Sequence, residues 1–532
     1  MFSTQTHRNL YLIGLCGLAF GMMMGTVPTS VPEIFLGANW LLEMDFKRKW
    51  SQVKYSKIFW IVISIFIIHF PCLIYTENLD LGLTDIKIKW PIFSMALILF
   101  TSKPLSLKEL QTILICFLMG CLTNTAWCLT YTYILHSAEH IRNVSRYMSH
   151  IRLGLYLNVA IFTSIYLSYK FVYLTPNNYR DKILFGLIAV YLTFVLIILG
   201  LVSGLIIFLI LSFLTLVVLI YRQNSRVKLI SYGLIGLCLV SFIFYLNNVR
   251  IAQLVVNNSE NNKVQKQNSV GRTYIHFDTL GQRENGNYVL INIQLDELQR
   301  EWKRQVPADS FNFEKQHNLN RYEILTRYLA SKGLNKDSVG ISKLSPQDKI
   351  NIQKNITNYL YADWGYLQKR TYELLNEYTE YSNNRQVNGH SLTMRLYFWK
   401  ASLQAISNNF WFGVGTGDVQ EVLDKTYIET QSPLKKEWYK RPHNQFLTVF
   451  LSVGIFGFLI FLLSVFYPVF YLRKELDFLF WVFFLVLVYS FLFEDTLETQ
   501  AGSTFYAFFY CLFISQAWFR KKQIPEDLQA NR

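Results

Sequence analysis

Charge is scarce in this chain. Asp, Glu, Lys and Arg make up only 16% of its 532 residues, against roughly 25% in soluble domains. That shortage excludes the string of ordinary soluble domains that the length alone would suggest. Cysteine provides no framework either. Cys16, Cys72, Cys116, Cys121, Cys128, Cys238 and Cys511 all lie in apolar segments, so neither a disulfide scaffold nor a zinc-type cluster is readable. An HExxH helix, an Asp-x-Asp pair, a Gly-x-Ser-x-Gly elbow and a P-loop are also missing. Chemistry without a metal and without a cofactor is the expectation. The first apolar run carries no small-x-small cleavage site, because after Gly25 the chain continues through Pro28 and Pro32 into another apolar block. It does not read as a signal peptide.

What the chain has in abundance is apolar surface. Hydrophobic residues make up 52%, including 42 Phe and 33 Tyr, and they come in blocks rather than as periodic faces. The blocks lie at about 9–27, 30–44, 57–76, 88–102, 108–134, 152–169, 183–199, 204–221, 229–247, 444–471, 477–493 and 503–519. Most approach the roughly 20 residues that cross a bilayer; the second and fourth are short enough to be re-entrant. The run from Ile183 to Tyr221 would make about 58 Å of helix at roughly 1.5 Å per residue. It is therefore split into a hairpin at Gly200-Leu-Val-Ser-Gly204. The expected fold is an all-α polytopic membrane protein of about 12 transmembrane helices. One large, mainly helical loop domain lies between spans 9 and 10. Residues 1–247 form an N-terminal membrane region of about nine spans, 248–443 the loop domain, 444–519 a region of three spans, and 520–532 a tail.

The basic residues orient this plan. Twenty sit in connections on the side of the termini, and five (Lys87, Lys89, Arg142, Arg146 and Arg152) sit in the short connections opposite. The asymmetry places both termini in the cytoplasm and the loop domain outside it. The other 26 lie in the loop domain beside 20 acids, a solvated mixed surface. The formal net charge of +15 is therefore topology rather than an appetite for nucleic acid.

Four clusters, and a last acidic connection, fall on the outer face. The loop around Arg142, Arg146 and Arg152 also holds His136, His140 and His150, with Glu139 as its only acid. Arg forks match phosphate oxygens, although interfacial basic residues that merely snorkel would look the same. In Arg395-Leu-Tyr-Phe-Trp399-Lys-Ala-Ser402 helical spacing puts Arg395, Trp399 and Ser402 on one face, which also suits a helix lying on the membrane. Asn409-Phe-Trp-Phe-Gly413-Val-Gly415-Thr-Gly417-Asp418 has the glycines of a phosphate loop but follows a helix rather than a strand. A turn with left-handed glycines is the better account. In Arg441-Pro442-His443-Asn444, Pro442 suits a first helical turn. His443 would then sit where free N–H groups favour a phosphate. Gly454 and Gly457 lie one turn apart further on, where small side chains let another helix approach. Glu494, Asp495 and Glu498 form a last outer connection without a basic residue, free to pair with the Arg cluster or with His443.

These motifs resemble the O-antigen ligase and O-antigen polymerase-like superfamily. The resemblance rests on His443-Asn444, nine residues, then Gly454-x-x-Gly457, together with Arg395…Phe398-Trp399…Gly413-Val-Gly415-Thr-Gly417 before it. The Glu494-to-Gly502 run is similar to that of Bacteroidetes-type members. The likeness spans about 391–510. It implies transfer of a glycan from a polyprenyl-diphosphate carrier to an acceptor hydroxyl, such as lipid A-core, at the periplasmic face of a bacterial inner membrane. His443 and Arg395 carry over as the catalytic pair and Arg152 as the diphosphate position. Arg441, Arg142 and Arg146 are further candidates for the diphosphate, with Asn444, Glu494, Glu498 and Trp399 in support. Many members have Ser-Arg at the tip of the middle hairpin, where this chain has Val202-Ser203-Gly204. Either Arg142, Arg146 or Arg441 supplies that charge, or carrier recognition differs. A polymerase, a protein O-oligosaccharyltransferase and, in a different class, a polysaccharide transporter or flippase remain the alternatives. A transporter would be expected to show internal repeats and broken helices at the midplane.

Overall fold

The computed structural model describes residues 3–131, 145, 147–170, 179–221, 244, 247–249, 264–277, 282–307, 319–382, 388–389 and 391–523. The expected span at 229–247 and the candidates Arg142 and Arg146 lie outside the described residues, apart from a few positions of the span. The chain divides into two compact units. One combines 1–221, 398–432 and 439–532, and the other 222–397 with 433–438.

The first unit is built of helices: α1 Thr4–Gly21, α2 Thr26–Leu42, α3 Phe46–Val53, α4 Lys57–Ile67, α5 His69–Cys72, α6 Leu79–Thr101, α7 Leu107–Leu129, α8 His150–Lys170, α9 Tyr179–Ile198 and α10 Val202–Tyr221. Polar residues start them. Ser3, Ser56 and Asn78 accept N–H groups of the first turns of α1, α4 and α6, and Ser106 with Glu109 closes a capping box on α7. Each such cap satisfies orphan donors of a first turn. The long apolar run breaks between Ile198 and Val202, with Gly200 at φ 58°. The fourth apolar block proves longer than its hydropathy indicates. Helix α6 extends back to Leu79 through Asp80, Asp85, Lys87 and Lys89, because Asp85 and Lys89 are buried against partners rather than solvated.

Among the described residues, Leu107–Leu129, His150–Lys170, Tyr179–Ile198 and Gln445–Leu472 are helices long and apolar enough to cross a membrane. The pair α3 and α4–α5, bent by 92°, makes a fifth candidate, and Val202–Val218 and Phe478–Phe493 are shorter apolar helices. The protein is an all-α membrane protein. Its core is aromatic, with Phe480, Phe483, Phe505, Phe509 and Phe513 interlocked at ring separations of 5.3–6.5 Å.

The second unit has a two-residue hairpin, β1 Arg283–Glu284 paired with β2 Asn287–Tyr288. Further along, Ile293 pairs in isolated bridges with Ile275 and Lys336. Helices α11 Leu295–Gln305, α12 Leu319–Ser331, α13 Ser338–Ser342, α14 Pro346–Gln353 and α15 Tyr366–Ser382 follow. A 3-10 turn at Tyr359–Ala362 breaks the helical run before α15. A buried polar knot explains the break. Asn358 donates to Glu284 and Asn285, and Tyr372 donates to Asn285, so Asn358 is spent on tertiary partners. Helix α16, Ser391–Asn408, begins in this unit and ends in the first. The first unit is completed by α17 Val419–Glu429, α18 Gln445–Leu472, α19 Phe478–Phe493 and α20 Gln500–Lys522.

Candidate functional site

A cavity of about 430 Å³ lies within the first unit. Its lining combines Thr84, Asp85, Arg152, Gln420, Tyr439, Lys440, Arg441, His443, Glu494, Asp495, Glu498 and Thr499 with the apolar Leu81 and Ile88. Seven of these are acids, lysine or arginine, in a chain that is poor in both signs.

Asp495 organises the His443 turn. Its carboxylate accepts the backbone N–H groups of His443 (3.0 Å) and Asn444 (3.1 Å) and the Thr448 hydroxyl (2.6 Å). Asn444 is the N-cap of α18, accepting from Leu447 N, and helix begins at Gln445. Pro442 is thus outside the helix, a correction to its expected place in the first turn. The N–H groups of His443 and Asn444 before this helix are taken by the protein's own Asp495, and that of Leu447 by Asn444. His443 itself is left-handed at φ 49°, a conformation uncommon outside glycine. The Asp495 hydrogen bonds compensate for it, as expected of strain held at a functional position. Trp399 donates Nε1–H to the carbonyl of Pro442 (3.0 Å), and the Phe398 ring lies 5.9 Å from the His443 ring. The second half of α16 therefore backs the turn. Glu494 Oε2 stands 3.8 Å from His443 Nδ1, beyond hydrogen-bond range but close enough to act by charge.

Glu498 organises the adjoining wall. It accepts from Arg441 (2.9 Å), Lys89 (3.0 Å) and Gln445 (3.1 Å). Lys89 also faces Asp85 at 3.4 Å, and Asp85 accepts the Thr416 hydroxyl. The result is a neutral quartet of two acids and two bases. Burial alone would raise the Glu498 carboxyl, but Lys89 and Arg441 hold it well below the usual carboxylate range. Burial would lower Arg441, but Glu498 and Asp85 raise it above its ordinary value. Arg152 differs. Its guanidinium has no ion pair or hydrogen bond among the described residues, and it faces the cavity half-buried. Arg441, neutralised by Glu498, is the weaker anion receptor of the two.

The glycine motif has a structural task. Helix α18 breaks at Gly454, φ 65°, which strips the Leu451 and Ser452 carbonyls of their helical donors. Val414 N (2.9 Å) and Gly415 N (3.0 Å) fill them, and Ile455 N turns instead to the Phe410 carbonyl (2.9 Å). Gly413, at φ 74°, packs on this break so closely that a Cβ on it would meet Gly454 N at 2.5 Å. What approaches Gly454 is thus the loop at 410–415, not another helix. The nearest atoms that a Cβ on Gly457 would meet belong to Val453 of its own helix. Asp418 then accepts from Glu77 N (2.8 Å) and Asn78 N (2.9 Å), fixing the turn before α6. The motif thereby ties α6, which carries Asp85 and Lys89, to α18. A Gly454→Ala protein is expected to lose about 1–3 kcal/mol of stability, seen as a lower unfolding temperature in detergent. An unchanged melt would show that the break tolerates a side chain.

Arg395 falls on the part of α16 that belongs to the second unit. Sequence reasoning missed Lys89, Asp85, Gln420, Tyr439 and Lys440. Charged residues inside an otherwise apolar helix, Asp85 and Lys89 above all, were the available signal.

These features define a helical membrane protein with a charge-lined cavity at the start of a late helix. Residues 359–462 match the family model described as O-antigen ligase, and this match supports membership of the O-antigen ligase superfamily. It includes Arg395, Trp399, the glycine motif, Tyr439, Arg441, His443 and Gly457; Lys89, Arg152, Asp495 and Glu498 lie outside it. No curated protein matches the chain.

Proposed function

We propose that this protein moves a glycan from a polyprenyl-diphosphate carrier to an acceptor hydroxyl at the periplasmic face of a bacterial inner membrane. The preferred role is O-antigen ligase acting on lipid A-core. The observation that carries this reading is the pairing of an unneutralised Arg152 with His443 in one cavity. Arg152 binds the diphosphate and stabilises the charge that develops on it as the glycosyl C–O bond breaks. The acceptor oxygen forms the new bond and gives its proton to His443, and the carrier leaves as polyprenyl diphosphate. Glu494 is positioned to stabilise the resulting imidazolium. Arg395 is assigned to the diphosphate by its motif alone. The proposal includes the plan of about 12 spans with cytoplasmic termini and an external loop domain over 248–443.

The test is glycan transfer by purified protein from a lipid-linked donor in the presence of EDTA. Activity is expected to persist in EDTA. Arg152→Gln is expected to cost about 10²–10³-fold in turnover, the scale of losing one preorganised charge-stabilising donor. Inhibition by EDTA would remove the metal-independent mechanism, and full Arg152→Gln activity would remove its assignment. Deleting the gene separates ligase from polymerase: missing glycan on lipopolysaccharide supports the ligase, and merely short chains support the polymerase.

A further inference from the structure

One wall of the cavity is not explained by charge. Tyr439 lines it with Gln420, and both are partly exposed. Behind Tyr439 stands Tyr427, fully buried, with ring centroids 4.5 Å apart and planes 26° from parallel. Tyr427 donates its hydroxyl to the Lys440 carbonyl at 2.7 Å, and its ring edge also meets Phe398, which packs against His443. Gln420 is held by Asp424 at 2.8 Å. The Tyr439 ring is therefore fixed from behind by a stacked partner and has little freedom to turn.

A rigid aromatic face beside amide and charged groups matches the chemistry of a pyranose ring. One face of such a ring presents C–H groups that pack on an aromatic plane, and its rim presents hydroxyls that need polar partners. A diphosphate has no use for this wall, and a bare polyprenyl tail has no use for Gln420. Resting on the function proposed above, we infer that Tyr439 and Gln420 form the sugar subsite of the cavity. Tyr439 stacks on the sugar attached to the diphosphate, and Gln420 reads one of its hydroxyls. Tyr439 is thus a specificity-determining residue, holding the reacting carbon beside His443.

The test compares two ligands on the purified full-length chain: the lipid-linked donor that accumulates in cells lacking the gene, and sugar-free undecaprenyl diphosphate as competitive inhibitor. Tyr439→Ala is expected to raise KM for the donor about tenfold, the loss of one stacked aromatic contact, with inhibition by undecaprenyl diphosphate unchanged. Tyr439→Phe is expected to restore the wild-type KM. Equal weakening of both ligands, or an unchanged KM, would overturn the subsite. A wild-type protein that neither transfers the glycan nor binds undecaprenyl diphosphate would overturn the proposed function itself, before any variant is compared.

Discussion

Glycan transfer by a His443→Ala protein is expected to fall about 10²–10⁴-fold, the usual contribution of a positioned acid–base group. The fold should survive. What anchors this turn is the backbone N–H of His443 bound to Asp495, and the alanine variant keeps that N–H. The side chain is about one-third exposed and makes no hydrogen bond among the described residues, with Glu494 standing 3.8 Å away. Removing it therefore deletes chemistry more than structure. Rates from the purified variant, measured beside its unfolding temperature, separate the two. A wild-type rate would end the assignment of His443 as the base. A lost rate with a melt lowered by many degrees would instead make the imidazole a packing element against Phe398.

The largest stability effect is expected at Lys89. Its ammonium, 1% exposed, sits between Asp85 and Glu498. Lys89→Met would leave two buried carboxylates facing the one Arg441, and breaking a buried pair in this way costs about 3–5 kcal/mol. Chemical or thermal unfolding in detergent would show it, and an unchanged midpoint would mean that water reaches the cluster. Glu498 sets the sign of the pH dependence. Its folded carboxyl is depressed, chiefly by Lys89 and Arg441 acting against burial. The stabilisation is therefore complete above the ordinary carboxylate range and is lost only as pH falls through the depressed value. For Glu498 itself, neutral and mildly acidic solutions should be equivalent, with its share of the loss confined to strong acid.

Part of the site is legible locally. Asn444 can be read as an N-cap candidate because a capping residue and the apolar run it opens are neighbours in the chain. Gly413 and Gly415 can be read as left-handed because glycine clusters at a helix end have few other uses. Pro442 misleads: its fixed φ suits a helix start, but the next residue is committed to φ 49° by Asp495. Gly454 misleads in the same way. Small residues one turn apart signal close approach, but not whether a helix or a loop makes it. The loop at 410–415 wins because a broken helix exposes carbonyls that only backbone N–H groups on another segment can fill.

By itself the sequence determined that this chain belongs in a membrane, that it is helical, and that His443 precedes a late helix in a superfamily pattern. Those properties follow from composition and short spacing, which act within a few turns of chain. Only the tertiary structure decided which charges meet. Lys89 reaches Glu498 across 409 positions, and Thr416 reaches Asp85 across 331. No periodicity encodes such a pairing, because it depends on which helices lie side by side. It also decided that Arg441 is neutralised while Arg152 has no acidic partner among the described residues. In a low-dielectric interior an ion's use depends on its nearest counter-charge, and nearness is a property of the folded chain alone.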